Sequence, residues 1–356
     1  MSRFTVLDAA DSVQYNQWIS IWEAWEAREV FAHPEYLKSL KRECDSALCV
    51  VQEDVGGVVL LPVILRPLCS ETWAGMGNKY QDIVTPYGFG GPFGIGTPNL
   101  ADFWKGLAQW AACNRIISAF FRFSPFSADI KSMVSQVEVR NGNVIRSLPE
   151  GNDLIWQEYD KTVRHHIRRA DSLGLKVEVD TNGKRMNDFL RIYYETMRRR
   201  NALPYYYFPE RLFNNIFQTI PGSAILFHVT NGNTVISSEM VLVAEENMYA
   251  FLGGTDGRFT DMNSGELLSH SIINWGIENG KKQYVMGGGY KGHDGIFQFK
   301  KKFAPNGTVP FEVGKHIFDS TAYINMCEKR REYDRQQGQD RAEDSSYFPA
   351  YRTQYD

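Results

Sequence analysis

A glutamate interrupts an otherwise apolar, alternating segment, ISSEMVLVA, at residues 236–244. The alternation predicts a half-buried β-strand, and a carboxylate on such a strand is unfavourable unless it faces a wet cleft. Glu239 is therefore a candidate general base, because ionisable groups in such places cluster at functional sites. The alternative is a glutamate at a strand edge that pairs with a surface arginine.

Further candidates lie between the glycine run at residues 287–289 and the segment FQFKKKF. Tyr290 follows the glycines and can contact a substrate, and His293 is a second candidate base. Asp294 can either bind substrate or cap the helix that begins after it. Lys300 is one of three consecutive lysines, so composition alone does not separate a site lysine from a solvated basic helix face.

The element order over residues 236–286 is strand, turn, strand, polar loop, capped helix and strand. A helix that begins near Asn263 or Ser264, with Gly265 in its first turn, presents free backbone N–H groups. These groups and the helix dipole favour a pyrophosphate. The alternative is an ordinary helix N-terminus with Glu266 in the first turn, where the glutamate charge would repel a pyrophosphate.

Cations and tyrosines elsewhere in the chain predict an acceptor site for a phosphate-bearing substrate. Guanidinium groups match phosphate geometry, although cations in the last turn of a helix also stabilise that helix. Tyrosine rings stack on a base or sugar, or simply pack, and glycines let the backbone approach a ligand closely. The candidates are Lys161, Arg164, Arg199, Arg200, Tyr205 and Tyr206, with Tyr80, Asp82 and Tyr87 around the glycine-rich segment TPYGFGGP.

Together these segments resemble the Fem-type double-GNAT acyltransferases. That family includes peptidoglycan bridge aminoacyltransferases and two-GNAT N-acyltransferases that act on nucleotide-linked amino sugars. The resemblance covers about residues 30–315. It is carried by Ser238-Glu239, FLGGT at 251–255, residues 263–268, GGG at 287–289, Phe299-Lys300 with Phe303, TPYGFGGP at 85–92 and KTVRHHIRRA at 161–170.

The resemblance implies an α/β fold of two tandem GNAT-like domains with mixed central sheets, and acyl-CoA as the donor without a metal. It implies that Leu252, Gly253 and Gly254 lie along the thioester and that the acceptor binds between the domains. It also implies that Phe299 and Lys300 line the site, with Lys300 facing the reacting acyl group or the acceptor phosphates. The first domain is expected to bind no CoA.

The length of 356 residues suits two domains. We predict a degenerate N-terminal GNAT-like domain over residues 1–150 and a catalytic GNAT domain over 151–320. Residues 321–356 are charged and poor in aliphatic side chains, which predicts a solvated helix or disorder.

The composition of the chain limits which ligands and partners we expect. The net charge of −3 provides no global field to attract DNA, and no apolar run approaches the ~20 residues that span a bilayer. Five scattered cysteines without a CxxC pair indicate free thiols rather than a disulfide framework or a zinc site. The segment GFGGPFG misses the GxGxxG spacing. We therefore expect a cytoplasmic protein with no metal and no Rossmann site; the oligomeric state stays open.

Three functions are compatible with these features. The first is transfer of an acyl group from acyl-CoA to the amine of a nucleotide-diphospho-amino sugar, for lipopolysaccharide or capsule biosynthesis. The second is Fem-type transfer from aminoacyl-tRNA, which the negative net charge and the lack of an inserted coiled-coil arm disfavour. The third is a non-catalytic GNAT-like module that binds a glycan precursor.

Overall fold

The computed structural model describes residues 2–126, 129–131, 134–149, 153–290, 292, 294–339 and 347–353. Contacts divide the chain into two compact units. The first comprises Met1–Trp25, Phe31–Val139 and Glu312–Asp356, and the second comprises Glu26–Val30 and Arg140–Phe311. No helix within the described ranges is both long enough and apolar enough to cross a lipid bilayer.

Strands and helices are numbered in chain order. The elements through β7 are β1 (Arg3–Asp8), α1 (Ser12–Glu23), α2 (Pro34–Leu40), β2 (Ser46–Glu53), β3 (Gly57–Pro67), β4 (Gln81–Val84), β5 (Phe93–Gly96), α3 (Leu100–Cys113), β6 (Ile116–Arg122) and β7 (Gln136–Ser147). They continue as α4 (Asp153–Glu158), α5 (Lys161–Ser172), β8 (Lys176–Asp180), α6 (Met186–Arg199), α7 (Glu210–Thr219), β9 (Ala224–Asn231), β10 (Thr234–Val243), β11 (Asn247–Thr255), α8 (Ser264–Glu278), β12 (Gln283–Gly287), α9 (Gly295–Lys301), β13 (Thr308–Ile317) and α10 (Ser320–Gln336).

The first unit has a mixed sheet in the order β1-β2-β3-β4-β6-β13, with β5 paired to the first residues of β3. Strands β4 and β6 are parallel, and the neighbouring pairs are antiparallel. Helix α3 begins at Asn99, whose side chain accepts hydrogen bonds from two N–H groups of the first turn. Its buried residues Phe103, Trp104 and Leu107 pack against apolar side chains of β2, β3 and β6.

The second unit has a mixed sheet in the order β7-β12-β11-β10-β9-β8. Strands β11 and β12 are parallel, and the other pairs are antiparallel. Helices α5 and α8 pack on one face, where Val163, Ile167, Leu268 and Ile272 join Phe227 in one buried cluster. The predicted α/β class with mixed central sheets is confirmed.

The compact units do not follow the predicted bounds of 1–150 and 151–320. The second unit begins at Arg140, because β7 pairs with β12 over residues 144–147. From Glu312 the chain returns to the first unit, where the end of β13 pairs with β6. Pairing of strands distant in sequence, rather than a linker, therefore sets where one unit stops.

A solvated helix or disorder was predicted for the C-terminal tail; the structure forms the helix but buries part of it. Helix α10 forms, and its Met326 packs with Tyr351 and Trp73 in a buried cluster. The Arg330 Nε donates to Asp334 Oδ1 at 2.8 Å, and the guanidinium lies 5.7 Å from the Trp73 ring centre. Aromatic rings and arginine stems cover apolar surface, so the low aliphatic content misled the prediction. Residues 340–346 and 354–356 lie outside the described residues.

A buried carboxylate links the short segment Glu26–Val30 to β11. Glu29 is 4% exposed, and Asn247 Nδ2 donates to its Oε1 at 2.7 Å. Burial raises the pKa of Glu29 from 4.5 to about 7, although hydrogen bonds from Asn247 and Tyr249 act in the opposite direction. The folded protein therefore holds a proton on Glu29 more tightly than the unfolded chain does.

We predict that Glu29→Gln removes a pH-dependent loss of stability. The contribution of Glu29 is fully present below the unfolded pKa of 4.5 and is lost as pH rises through about 7. That loss is about 3 kcal/mol. Glutamine keeps the acceptor for Asn247 but does not ionise, so urea unfolding from pH 4.5 to 8 should weaken the wild type more than the variant. Parallel losses in the two proteins would contradict the assignment.

Candidate active site in the second unit

The parallel strands β11 and β12 pair only where they begin. Residues 247–249 lie in register with residues 283–285, and within the described ranges Ala250 and residues 252–255 pair with β10 alone. The two strands therefore part after Tyr249. An unpaired strand edge presents free backbone N–H and C=O groups, and the predicted Leu252, Gly253 and Gly254 lie on this stretch.

Glu239 lies on β10 opposite Gly253 of β11. Its Oε1 accepts a hydrogen bond from the Tyr284 hydroxyl at 2.6 Å. The Glu239 side chain forms no other hydrogen bond or ion pair within the described ranges. Burial raises the pKa of Glu239, while the Tyr284 hydrogen bond and the positive charge of Lys300 lower it. The alternative considered from sequence, a pair with a surface arginine, is not formed among these residues.

Lys300 is distinguished from the two lysines that follow it, which are exposed. It is partly buried, and its Nζ donates to the carbonyl oxygen of Gly288 at 2.9 Å. Burial lowers the pKa of Lys300, whereas the charges of Glu239 and Asp294 raise it. The site therefore holds a carboxylate with a raised pKa and an amine with a lowered one, which is typical of sites that move protons.

Asp294 caps α9. Its Oδ1 accepts from the N–H groups of Ile296 and Phe297 at 3.0 Å each, and its Oδ2 accepts from the Tyr290 N–H at 2.7 Å. Of the two roles considered for Asp294, the structure forms the capping one. His293 lies outside the described residues, so its predicted role stays a prediction.

The turn before α8 lacks a side-chain cap. Asn263 has a left-handed backbone with a φ of 56°, and its side chain makes no capping hydrogen bond. Ser264 is 1% exposed, and its Oγ has no hydrogen-bond partner in the described part of the chain. Beside it, a Cβ on Gly265 would first meet Phe299 at 3.7 Å. Free N–H groups and a serine hydroxyl are donors suited to an anion at a helix N-terminus.

Glu266 was expected to repel an anion at this turn. Its Oε1 lies 2.8 Å from Nδ1 of His166 on α5. This contact directs the carboxylate toward α5. No local pattern around Glu266 indicates this partner, because the two residues lie far apart along the chain.

The loop between β11 and α8 is fixed by a buried carboxylate. Asp256 pairs with Arg258 at 2.7 Å and with Arg191 at 3.0 Å. Hydrogen bonds from Arg258 and then Arg191 hold the pKa of Asp256 well below its usual range. The loop therefore keeps one position relative to α6, which carries Arg191.

Aromatic rings from three segments form a cluster in this unit. The ring centres of Tyr206 and Tyr290 are 5.7 Å apart, and those of Phe208 and Phe251 are 6.5 Å apart. Phe251 is the extra residue of a β-bulge, because Met240 pairs with Leu252 and Val241 with Ala250. The members of the cluster are Tyr205, Tyr206, Phe208, Phe251 and Tyr290.

The predicted cations separate into two groups. Arg164 donates to the carbonyl oxygen of Gln157 at 3.0 Å and to those of Trp156 and Tyr159, so it secures the end of α4. Lys161, Arg199 and Arg200 are exposed and form no side-chain hydrogen bond or ion pair within the described ranges. The Arg199 guanidinium lies beside the loop before α8, where a Cβ on Gly257 would be 2.8 Å from Nη1.

The candidates in the first unit have structural contacts. Asp82 is fully buried and pairs with Arg66 at 2.7 Å and Arg352 at 2.5 Å. This ion network replaces the substrate contact predicted for Asp82. Tyr80 packs against the buried cluster under α10. The Tyr87 carbonyl oxygen accepts a hydrogen bond from the Tyr36 hydroxyl at 2.9 Å.

Sequence reasoning missed Tyr284, Phe208 and Phe251. Tyr284 reaches a carboxylate on β10 from β12, with β11 between the two strands in the sheet order. The only available signal was an aromatic residue in an alternating strand that follows a helix, and this is more often a core position.

Comparison with known proteins agrees with this geometry. A family model described as an acetyltransferase (GNAT) domain matches residues 157–301. No curated protein matches the chain in sequence. A crystal structure of FemX superposes with a TM-score of 0.64 at 12% identity, covering 87% of this chain and 98% of that one.

Two other solved structures share the fold. The C-terminal domain of a putative lysylphosphatidylglycerol synthetase from Agrobacterium fabrum has a TM-score of 0.52 at 12% identity, covering 85% of this chain and 92% of its own. A conserved protein of unknown function from Bacteroides thetaiotaomicron has a TM-score of 0.57 at 11% identity, covering 89% and 100%.

The fold and the matched domain define a class. The second unit contains a GNAT acetyltransferase domain, and the chain shares the FemX fold over most of its length. The expected GNAT acyltransferase class is confirmed by the matched domain, and the expected likeness to Fem-type proteins is confirmed at the level of the fold.

We predict that Gly254→Ala destabilises the protein while Gly265→Ala does not. A Cβ at residue 254 would lie 2.1 Å from Oγ1 of Thr196 on α6, whereas at residue 265 the nearest atom is 3.7 Å away. Overpacking of this kind costs about 1–3 kcal/mol, and alanine is favoured over glycine in a helix. Urea unfolding of both variants measures the difference; equal stability would show that α6 moves aside without loss.

Proposed function

We propose that this protein transfers an acyl group from acyl-CoA to the amine of a nucleotide-linked amino sugar, a step of surface polysaccharide biosynthesis. The main support is the position of Glu239, a partly buried carboxylate with a raised pKa that lies beside the point where β11 and β12 separate. A second support is the GNAT model match, which spans the segment from α4 to α9.

The donor is proposed to bind along the free edge of β11. Those N–H groups of residues 252–254 that face this free edge are suited to polarise the thioester carbonyl, because backbone donors aimed at developing negative charge are effective in acyl transfer. The pyrophosphate would meet the turn formed by Asn263, Ser264 and Gly265, whose buried hydroxyl has no partner among the described residues. The first unit is proposed to bind no CoA.

The chemistry requires a neutral acceptor amine. Glu239 would take the proton as the amine nitrogen attacks the thioester carbonyl, and the C–S bond would then break with release of the CoA thiolate. A raised pKa makes Glu239 a stronger base than an ordinary glutamate. Lys300, next to the Gly288 carbonyl, would stabilise the ionised carboxylate or meet the phosphates of the acceptor.

The acceptor is proposed to contact the aromatic cluster and the exposed cations. Tyr205 and Tyr290 are 46% and 43% exposed, so each offers a surface for a base or a sugar ring. Arg199 and Arg200 end α6 near this segment of the chain and are suited to a diphosphate. The amine would then reach Glu239.

One observation favours aminoacyl-tRNA as the alternative donor. The exposed side of α5 carries Lys161, His165, Arg168 and Arg169, which repeat at helical spacing. A row of cations on one helix face neutralises a phosphate backbone, and such binding weakens steeply with salt.

Thermal unfolding with candidate ligands separates these functions. A ligand at 100 times its Kd stabilises the folded protein by about 2.7 kcal/mol. We expect stabilisation by CoA and by nucleotide-diphospho-amino sugars, and thiol release when acyl-CoA and the acceptor are combined. Stabilisation by aminoacyl-tRNA alone would support the Fem-type reaction. Binding of the nucleotide sugar without turnover of either donor would support a non-catalytic module.

We predict that Glu239→Gln lowers kcat by about 10²–10⁴-fold, the usual loss of general-base catalysis. In the wild type the rate should fall as pH drops through the raised pKa of Glu239, because protonation removes the base. The matched control is Glu246→Gln; Glu246 is a partly exposed glutamate on the β10–β11 turn that pairs with Lys282. Initial thiol-release rates across pH test this, and wild-type kcat in Glu239→Gln would exclude Glu239.

We predict that Arg199→Ala raises KM for the nucleotide sugar about 10- to 100-fold with little change in kcat, because a hydrogen bond to a charged group contributes about 1.5–3 kcal/mol. Arg198→Ala, at the neighbouring exposed position on α6, is the control. Equal effects of the two substitutions would indicate a general electrostatic field. A rise in KM for acyl-CoA alone would place Arg199 at the donor instead.

A further inference from the structure

We propose that Tyr284 is a positioning residue for acyl transfer: its hydroxyl holds Oε1 of Glu239 and leaves Oε2 to receive the proton of the acceptor amine. Since Glu239 is the base only under the proposed function, Tyr284 has this role only if that function holds.

The hydrogen bond comes from a rigid donor. Tyr284 is 1% exposed and belongs to the buried cluster of the second unit. Its strand pairs on both sides, with Met248 of β11 and Arg146 of β7 in register at this position. Its hydroxyl donates to Glu239 at 2.6 Å, and this is the only hydrogen bond of the Glu239 side chain within the described ranges. Fixing one carboxylate oxygen restricts where the other can lie.

A phenol suits this position because it donates without carrying charge. Burial and then the negative charge of Glu239 keep the pKa of Tyr284 well above its usual range. The hydroxyl therefore stays protonated while Glu239 titrates, and it does not compete as the base. Loss of this donor should make the ionised carboxylate less stable, because a hydrogen bond to the charged form favours that form.

Other groups around Glu239 do not replace this hydrogen bond. The neighbours in register are Phe227 on β9 and Gly253 on β11, and neither titrates. Lys300 acts on Glu239 through its charge and donates to Gly288. Of the charged side chains on the helices packed against β10, Arg191 of α6 pairs with Asp256 and Glu266 of α8 lies beside His166.

The proton and electron balance follows from this arrangement. The N–H bond of the acceptor breaks and its proton goes to Oε2 of Glu239. The nitrogen forms a bond to the thioester carbonyl carbon, and the C–S bond breaks with its electron pair on the leaving thiolate. Tyr284 keeps its proton throughout.

The direct test follows the protonation of Glu239 in infrared difference spectra between about pH 5 and 9, because the pKa of a general base usually lies near the pH at which the enzyme works. Glu239→Gln identifies the carbonyl band of the protonated carboxyl by its absence. In Tyr284→Phe the titration midpoint of that band should rise by about one to two pH units. An unchanged or lowered midpoint would overturn the inference.

The matched control is Tyr249→Phe. Tyr249 is an equally buried tyrosine on the neighbouring strand, and its hydrogen bond goes to Glu29 rather than Glu239. The substitution Tyr249→Phe should leave the titration midpoint of the Glu239 band unchanged. If Tyr284→Phe does not fold, 3,5-difluorotyrosine at this position provides a stronger donor, which should lower the midpoint; a midpoint that stays constant would again overturn the inference.

The second readout is the pH dependence of kcat/KM with acyl-CoA and the acceptor. In Tyr284→Phe the acidic limb should move upward by the same amount, while KM for either substrate stays near the wild-type value. A purely structural role would lower the rate equally at every pH. Absence of acyl transfer in the wild type would overturn the proposed function, whereas an unshifted infrared band would overturn the positioning role.

Discussion

The carboxylate of Glu239 occupies a strand position where sheets of this kind normally place an apolar side chain. Withdrawing an ion from water is expensive unless hydrogen bonds and opposite charge compensate. Here the compensation comes from Tyr284 on β12 and Lys300 on α9. The positions of Tyr284 and Lys300 depend on the course of the chain after β11. A loop and helix α8 follow the end of β11, and β12 and α9 come after them.

The two units differ at the point where the proposed donor site lies in the second unit. In the second unit the parallel pair separates after three residues of register. In the first unit β4 stays paired with β6 to its end, and Thr85 continues the contact by donating from its N–H to Phe120 at 3.0 Å. The Arg122 guanidinium then donates to the Thr85 carbonyl at 2.8 Å. The backbone groups that a donor would need are thus already bonded.

Local patterns predicted much of this fold. The hairpin of β10 and β11 forms where the alternating segment at residues 236–244 predicts a strand followed by a turn and a second strand. Glu239 and Lys300 were both named as candidates from the sequence, the latter through family resemblance alone, and the structure places them close enough for the charge of Lys300 to act on Glu239. The strands β7 and β13 were missed, because each is defined by partners far away in the chain. For the same reason the sequence could not reveal the ion network of Asp82 or the partner of Glu266.

The glycines around the site have a different explanation from the one that sequence suggests. A Cβ on Gly253 would lie 2.5 Å from the Ser238 carbonyl oxygen, and one on Gly289 would lie 2.2 Å from Asp294. These positions are glycine because neighbouring chain segments approach them, not because a ligand must. Gly265 differs, since its nearest neighbour is at an ordinary contact distance. A glycine-rich segment therefore reports close packing of the framework. Under the proposed function, the chemistry rests instead on Glu239, whose side chain is held by a single hydrogen bond among the described residues.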